Sequence, residues 1–159
     1  MRTTGNATGL SDARIYERHA DELIRFATGI VGACDAADVL STAMVNALSS
    51  RSWPHVADKR AYLYRCVLNA ARSAQRSGSR RRVRELRVVH RDDPAVPETS
   101  PEVLDAVKGL SSRQRAVIFL TYWEDLDVAA VAHLLDLSEG SVKQHLARAR
   151  VHLRRKLDD

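Results

Sequence analysis

The chain has 159 residues, 45% of them hydrophobic, only 5% aromatic and 28% charged, with a formal charge of +5. That length admits one ordinary domain or two small ones, and a core of Leu, Val and Ala rather than of aromatic rings, a mixture that favours helices. No apolar run approaches the roughly 20 residues that span a bilayer, and the polar start with its Gly and Thr lacks the form of a secretion signal, so a cytoplasmic protein without membrane insertion is expected.

The positive charge is concentrated in two blocks. Residues 72–91 sum to +7 and residues 143–159 to +4, whereas residues 1–71 sum to +1 and residues 92–142 to −7. Two cationic blocks suit a polyanionic partner held in two places.

In chain order, residues 1–11 are expected to be disordered. Over residues 12–31 the apolar positions Ile15, Leu23, Phe26, Ala27 and Ile30 recur at helical spacing, with Gly32 where a C-cap falls. Asp35 is the expected N-cap of a second helix carrying Val39, Leu40, Ala43, Met44, Ala47 and Leu48 and ending at Ser49. Pro54 turns Trp53 away from helical angles, so residues 51–58 read as a loop, and Asp58 can cap the next helix. That third helix carries Ala61, Leu63, Tyr64, Val67, Leu68 and Ala71 and dissolves into the arginine-rich stretch from Arg76.

Residues 87–100 hold Pro94 and Pro97 among Asp92, Asp93 and Glu98 with no apolar period, the composition of a linker. Beyond it four more helices are expected over 101–108, 111–123, 127–135 and 138–157, with Val117, Leu120 and Trp123 as core. The fold class is therefore all-α: a three-helix N-terminal domain over 12–86 and a four-helix C-terminal domain over 101–159.

The most informative segment is 127–150. A short helix with Val128, Val131, Ala132 and Leu135 is followed by the turn Asp136-Leu137-Ser138 and a second helix with Val142, Leu146 and Ala149, the pattern of a helix-turn-helix. Small Ala132 permits close approach, Leu137 plugs the angle, and Ser138 caps the second helix. Asp136 stands where a left-handed residue is needed, and Asp tolerates those angles better than most. Ser141, Lys143, Gln144, His145 and Arg148 remain on the polar side, donors suited to phosphates and base edges.

Leu110-Ser111-Ser112-Arg113-Gln114-Arg115-Ala116-Val117, Tyr122-Trp123-Glu124-Asp125-Leu126 and Gly140-Ser141-Val142-Lys143 are together similar to the fourth region of bacterial RNA polymerase sigma factors of the extracytoplasmic-function group. Ala37-Asp38-Val39-Leu40 and Ala61-Tyr62-Leu63-Tyr64-Arg65, with Asn69 after them, are similar to the second region, so the resemblance covers about residues 15–157. It implies partners in the polymerase core (clamp and flap) and promoter DNA, and an anti-sigma factor as the inhibitor of similar proteins. By position it puts Asp38, Leu40, Ser41, Thr42 and Val45 on the clamp-docking helix, although the family usually has Gln and an acidic residue in place of Ser41 and Thr42. It puts Tyr62, Arg65, Asn69, Arg72 and Arg76 on the opened minus-ten strand, with Trp53 in the loop that captures a flipped base, and the C-terminal reader on the minus-thirty-five duplex.

The competing reading is a stand-alone LuxR-type regulator, since Ser141-Val142-Lys143-Gln144-His145-Leu146 is also similar to that reader. Such a protein would carry a receiver or ligand domain with strands in its N-terminal half, where three helices are expected here. An enzyme finds little support. His19, His55, His90, His133, His145 and His152 form no HxxxH or HExxH site, and Cys34 and Cys66 lack CxxC spacing and read as reduced small hydrophobes, so no metal or cofactor is expected.

Overall fold

The computed structural model describes the backbone of residues 5–81 and 100–158 and the side chains of 12–78 and 100–158. Among the described residues there are seven α-helices and no strand: α1 (Gly5–Val31), α2 (Ala33–Ser49), α3 (Lys59–Arg81), α4 (Pro101–Lys108), α5 (Ser112–Tyr122), α6 (Val128–Leu135) and α7 (Glu139–Leu157), with a 3-10 turn at Trp53–His55. The expected linker falls outside the described residues except for Ser100, as does the arginine run from residue 82.

Helix α1 starts at Gly5 rather than near Asp12. Extending a helix already nucleated by a packed segment costs little, so the unpatterned residues before Asp12 continue it. Its end is sharp because Gly32 adopts φ 87, which glycine reaches without strain, and the Gly32 N–H bonds the Thr28 carbonyl at 2.9 Å. The same residue precedes α2, so Asp35 is not its N-cap. Asp35 lies inside the first turn, where its charge complements the helix dipole. Helix α3 does begin under an aspartate cap, with the Ala61 N–H donating to Asp58 Oδ1 at 2.9 Å, and it runs on through Gly78 to Arg81, beyond the expected end.

The first three helices form a bundle. Leu23, Phe26 and Ile30 from α1, Val39, Ala43 and Ala47 from α2, and Leu63, Tyr64, Val67 and Ala71 from α3 are buried, and the rings of Phe26 and Tyr64 pack with centroids 4.8 Å apart. One polar cluster ties α1 to α3. Both oxygens of Glu22 accept from Arg60 Nε at 3.0 Å, Oε2 also accepts from Arg60 Nη2 at 2.8 Å and from the Tyr64 hydroxyl at 2.9 Å, and Oε1 meets His19 Nδ1 at 2.6 Å. Burial alone would push the Glu22 carboxyl up, but the hydrogen bonds from Arg60, His19 and Tyr64 outweigh it and hold the carboxyl below its ordinary value. The Tyr64 hydroxyl is pushed well above the usual phenol range by its burial and by the neighbouring Glu22 charge.

In the C-terminal part α5 is central: Ala116, Val117 and Leu120 are buried among Val131 and Leu135 of α6 and Val142, Leu146 and Ala149 of α7. Caps set the starts of these helices. Ser111 and Gln114 form a reciprocal capping box on α5, Asp127 Oδ1 accepts from Ala130 N at 2.8 Å for α6, and Ser138 Oγ accepts from Ser141 N at 3.1 Å for α7. Trp123 is not core as expected. It sits at the C-cap of α5, 69% exposed, and stacks on Phe119 at 6.3 Å, because the helix ends before its side chain can turn inward. The two helical groups also meet, α5 against α1 and α6 against α3, so that a single buried cluster runs through both.

Candidate nucleic-acid and polymerase interfaces

The reader helix is positioned by its turn. Asp136 takes the left-handed conformation (φ 53, ψ 48), and Leu137 N donates back to the Ala132 carbonyl at 3.0 Å, closing the angle between α6 and α7. With Val142, Leu146 and Ala149 committed inward, Lys143, Gln144 and Arg148 are exposed on one side of α7, and Ser141 and His145 lie half-buried along its edges. Gly140, Ala147 and Val151 share the exposed side and were not singled out as contacts from the sequence. Their helical spacing was the available signal, and small Gly140 and Ala147 leave room for a backbone to come close.

Arg113, at the start of α5, also joins this electrostatic neighbourhood. Burial, then the charges of Arg113 and Arg148, hold the His145 imidazole below its ordinary value. Arg113, ahead of burial and Arg76, likewise lowers Arg72 on α3. The hydroxyl of Ser112 hydrogen-bonds Gln75, which fixes the α5 N-terminus beside this part of α3.

On α3, Tyr62, Arg65, Asn69, Arg72 and Arg76 recur every three or four residues and so share one face. Asn69 and Arg76 are exposed, and Tyr62, Arg65 and Arg72 are half-buried. Arg65 Nη1 is 3.9 Å from Asp136 Oδ2, longer than a hydrogen bond, and its enclosed Nε has no hydrogen-bond partner among the described residues.

Trp53 departs from its expected place. It is 2% exposed, its indole Nε1 donates to Asp12 Oδ1 at 2.9 Å, and Lys59 lies over the ring at 4.9 Å while bonding the carbonyls of Trp53 and Val56. With Tyr62 against it at 5.9 Å, the ring is a support under the loop and presents no face for a base. A loop tryptophan next to a proline gave no sequence signal of its inward direction, which depends on Asp12 arriving from α1.

On α2, Asp38, Ser41, Thr42 and Val45 lie on one exposed face, Val45 being 63% exposed. Leu40 does not join them. It points the opposite way and is 5% exposed, because its position falls with Val39, Ala43 and Ala47 on the bundle side. Leu48, 43% exposed, extends the outer face and was missed because it reads as one more apolar helix residue.

The exposed side of α2, the arginine-lined side of α3 and the helix-turn-helix are the three faces on which the expected contacts fall. Comparison with known proteins makes the class specific. The family model for Sigma-70 region 2 matches residues 15–81, and that for Sigma-70, region 4 matches residues 100–153. The RNA polymerase sigma-E factor of Streptomyces antibioticus is 32% identical over 154 residues, covering 91% of this chain and 83% of that one. The ECF RNA polymerase sigma factor SigM of Mycobacterium tuberculosis is 31% identical over 148 residues, covering 91% of this chain and 76% of its own length. The chain belongs to the sigma-70 family of RNA polymerase sigma factors, in its extracytoplasmic-function group, and directs polymerase to promoters.

Solved structures share the fold. The sigma factor RpoE of Bartonella quintana, in complex with the anti-sigma factor NepR, superposes with a TM-score of 0.65 at 18% identity over 92% of this chain and 96% of that one. CnrH, in complex with the cytosolic domain of CnrY, gives 0.63 at 24% identity over 98% and 91%. The LuxR-type alternative is not favoured, because the region 2 match occupies the half where that type would carry a sensory domain. Among the described residues no helix is long and apolar enough to cross a membrane.

Proposed function

We propose that the chain divides promoter recognition between its two parts, 12–86 and 101–159, joined by a linker over 87–100. Asp38, Ser41, Thr42 and Val45 of α2 dock on the clamp of the polymerase core. Tyr62, Arg65, Asn69, Arg72 and Arg76 of α3 hold the opened minus-ten strand, where separated bases need stacking surfaces and the backbone needs cations. Lys143, Gln144 and Arg148, flanked by Ser141 and His145, read the minus-thirty-five duplex in the major groove.

The observation that carries this reading is that each set, less Leu40 and Trp53, lies on one side of its helix while the opposite side is committed to the core. The apolar groove of Ile118, Tyr122, Leu153 and Leu157 between α5 and α7 supports docking of the polymerase flap. The protein works by binding energy, without a catalytic group or cofactor. An anti-sigma factor is the inhibitory partner we propose, as NepR and CnrY are bound in the structures of RpoE and CnrH.

The test is run-off transcription with core polymerase. Wild type should give defined transcripts that Asp38→Arg abolishes while duplex binding by the full chain persists; transcripts unaffected by Asp38→Arg refute the clamp assignment. Binding of promoter duplex should weaken steeply with salt, since each neutralised phosphate releases counterions. A flat salt response refutes the assignment of α7.

A further inference from the structure

Cations from three helices converge around the start of α5. The Phe119 ring seats α5 on α1, lying so close over Gly29 that a Cβ there would come within 2.5 Å of Phe119 Cδ2. At the other end of α5 the buried Ser112 hydroxyl donates to Gln75 Oε1 of α3. That bond brings Arg113, the next residue, under the influence of Arg72 and Arg76, which lie one turn apart on the same side of α3. Arg113 also acts on His145 of α7, as does Arg148 three residues further along that helix. Arg72 and His145 are half-buried where these helices converge, and Arg113 and Arg148 are exposed.

Carboxylates are missing from these helices. Neither α3 nor α5 contains Asp or Glu, and α7 has none after its first residue, Glu139. The Asp136 carboxylate that faces α3 does so at Arg65, 3.9 Å away and about two turns before Arg72. Every group acting on Arg72 and on His145 disfavours its charge: Arg113, then burial and Arg76 for the arginine, and burial, then Arg113 and Arg148 for the imidazole. Holding like charges together in a partly desolvated recess costs free energy, and a multivalent anion among them turns that repulsion into attraction. Guanidinium groups also suit phosphate oxygens, which they meet with paired N–H donors.

We propose that Arg72, Arg113, His145 and Arg148 form an anion site for a condensed phosphate chain, the di- or triphosphate group common to free oligophosphates and nucleotides. The charge count selects that ligand. Three guanidinium groups and an imidazole that an anion can protonate exceed the about 2 charges of a single phosphate, so a chain of phosphates meets them better. The half-buried Arg72 and His145 lie in a recess between helices, which admits a narrow chain more readily than a double helix. Occupancy withdraws Arg72, His145 and Arg148 from DNA, a consequence that rests on the assignment of α3 and α7 to promoter contacts; the site itself does not rest on it.

Isothermal titration calorimetry of the full chain in about 0.15 M salt, where exposed charges are screened, tests the site with sodium tripolyphosphate as probe. Saturable binding of one anion per chain is expected, at least tenfold tighter than that of inorganic phosphate. Arg113→Ala changes an exposed side chain and should weaken binding at least tenfold, and Arg72→Ala, on a different helix, should do the same. Arg18→Ala removes an equal charge from an exposed position on α1 and should stay within twofold of wild type. Adenosine triphosphate is the second probe: affinity no greater than that of tripolyphosphate makes the phosphate chain alone the ligand, tighter binding makes it a nucleotide, and either supports the site. Unsaturable binding, tripolyphosphate no tighter than phosphate, or Arg113→Ala and Arg72→Ala both indistinguishable from Arg18→Ala overturns the proposal. So does a chain that binds promoter duplex but not tripolyphosphate, since the cluster then serves nucleic acid alone. None of these readings involves polymerase, so failure to support transcripts counts against the division of function and leaves the anion site to be decided by calorimetry.

Discussion

Replacing Glu22 by Gln isolates the polar cluster that joins α1 to α3. The carboxylate accepts three bonds from Arg60, one from Tyr64 and one contact from His19, and glutamine keeps the shape with one acceptor oxygen and no charge. A hydrogen bond to a charged group contributes about 1.5–3 kcal/mol and a neutral one about 1 kcal/mol. The Arg60 side chain is 42% exposed, so solvent screening takes its pair with Glu22 toward the about 0–1 kcal/mol of surface pairs. Together with the weakened Tyr64 bond, the expected loss is about 2 kcal/mol. For a chain of this size that lowers Tm by about 4–8 °C.

The pH dependence supplies an independent check. The Glu22 carboxyl is held below its ordinary value of 4.5, so its contribution is complete above that value and disappears as pH falls through the lowered one. Urea unfolding of wild type and Glu22→Gln across pH should therefore show a constant gap near neutrality that closes in acid. A gap below about 0.5 kcal/mol at neutral pH, or one that persists undiminished in strong acid, refutes the reasoning.

Trp53→Ala should destabilise the protein by about 3–5 kcal/mol in urea unfolding, the cost of emptying a buried aromatic site, and loss of promoter opening without loss of stability would contradict its supporting role. His145→Gln should flatten the pH dependence of duplex binding. The imidazole is kept neutral by burial, Arg113 and Arg148, phosphates should restore its proton, and wild-type affinity measured by anisotropy should therefore rise as pH falls from about 8 to about 6. Ser111→Ala removes half of the α5 capping box and should cost about 1 kcal/mol in thermal unfolding with no change in the salt dependence of binding.

The helices themselves were legible in the sequence because their signals are local. Apolar spacing, the Asp58 and Ser138 caps, and the tolerance of Asp136 for a left-handed angle each depend on a few neighbouring residues, and α4, α6 and α7 lie within one residue of expectation. The polar side of α7 was legible for the same reason. Direction at element ends was not. Trp123 faces out because α5 stops beneath it, and Trp53 faces in because Asp12 receives its indole. Leu40, in mid-helix, follows the apolar spacing it shares with Val39 and Ala43 and belongs to the bundle, against the position the family resemblance implied.

By itself the sequence determined an all-helical chain with a C-terminal reader and cations in two blocks, since periodicity, capping and charge are properties of short segments. Tertiary structure alone decided which of the named residues remain exposed and how the two parts meet. Nothing in the order of residues places Gly29 beneath Phe119 or Asp136 before Arg65, 71 positions away in sequence, because such contacts arise only when separate helices pack.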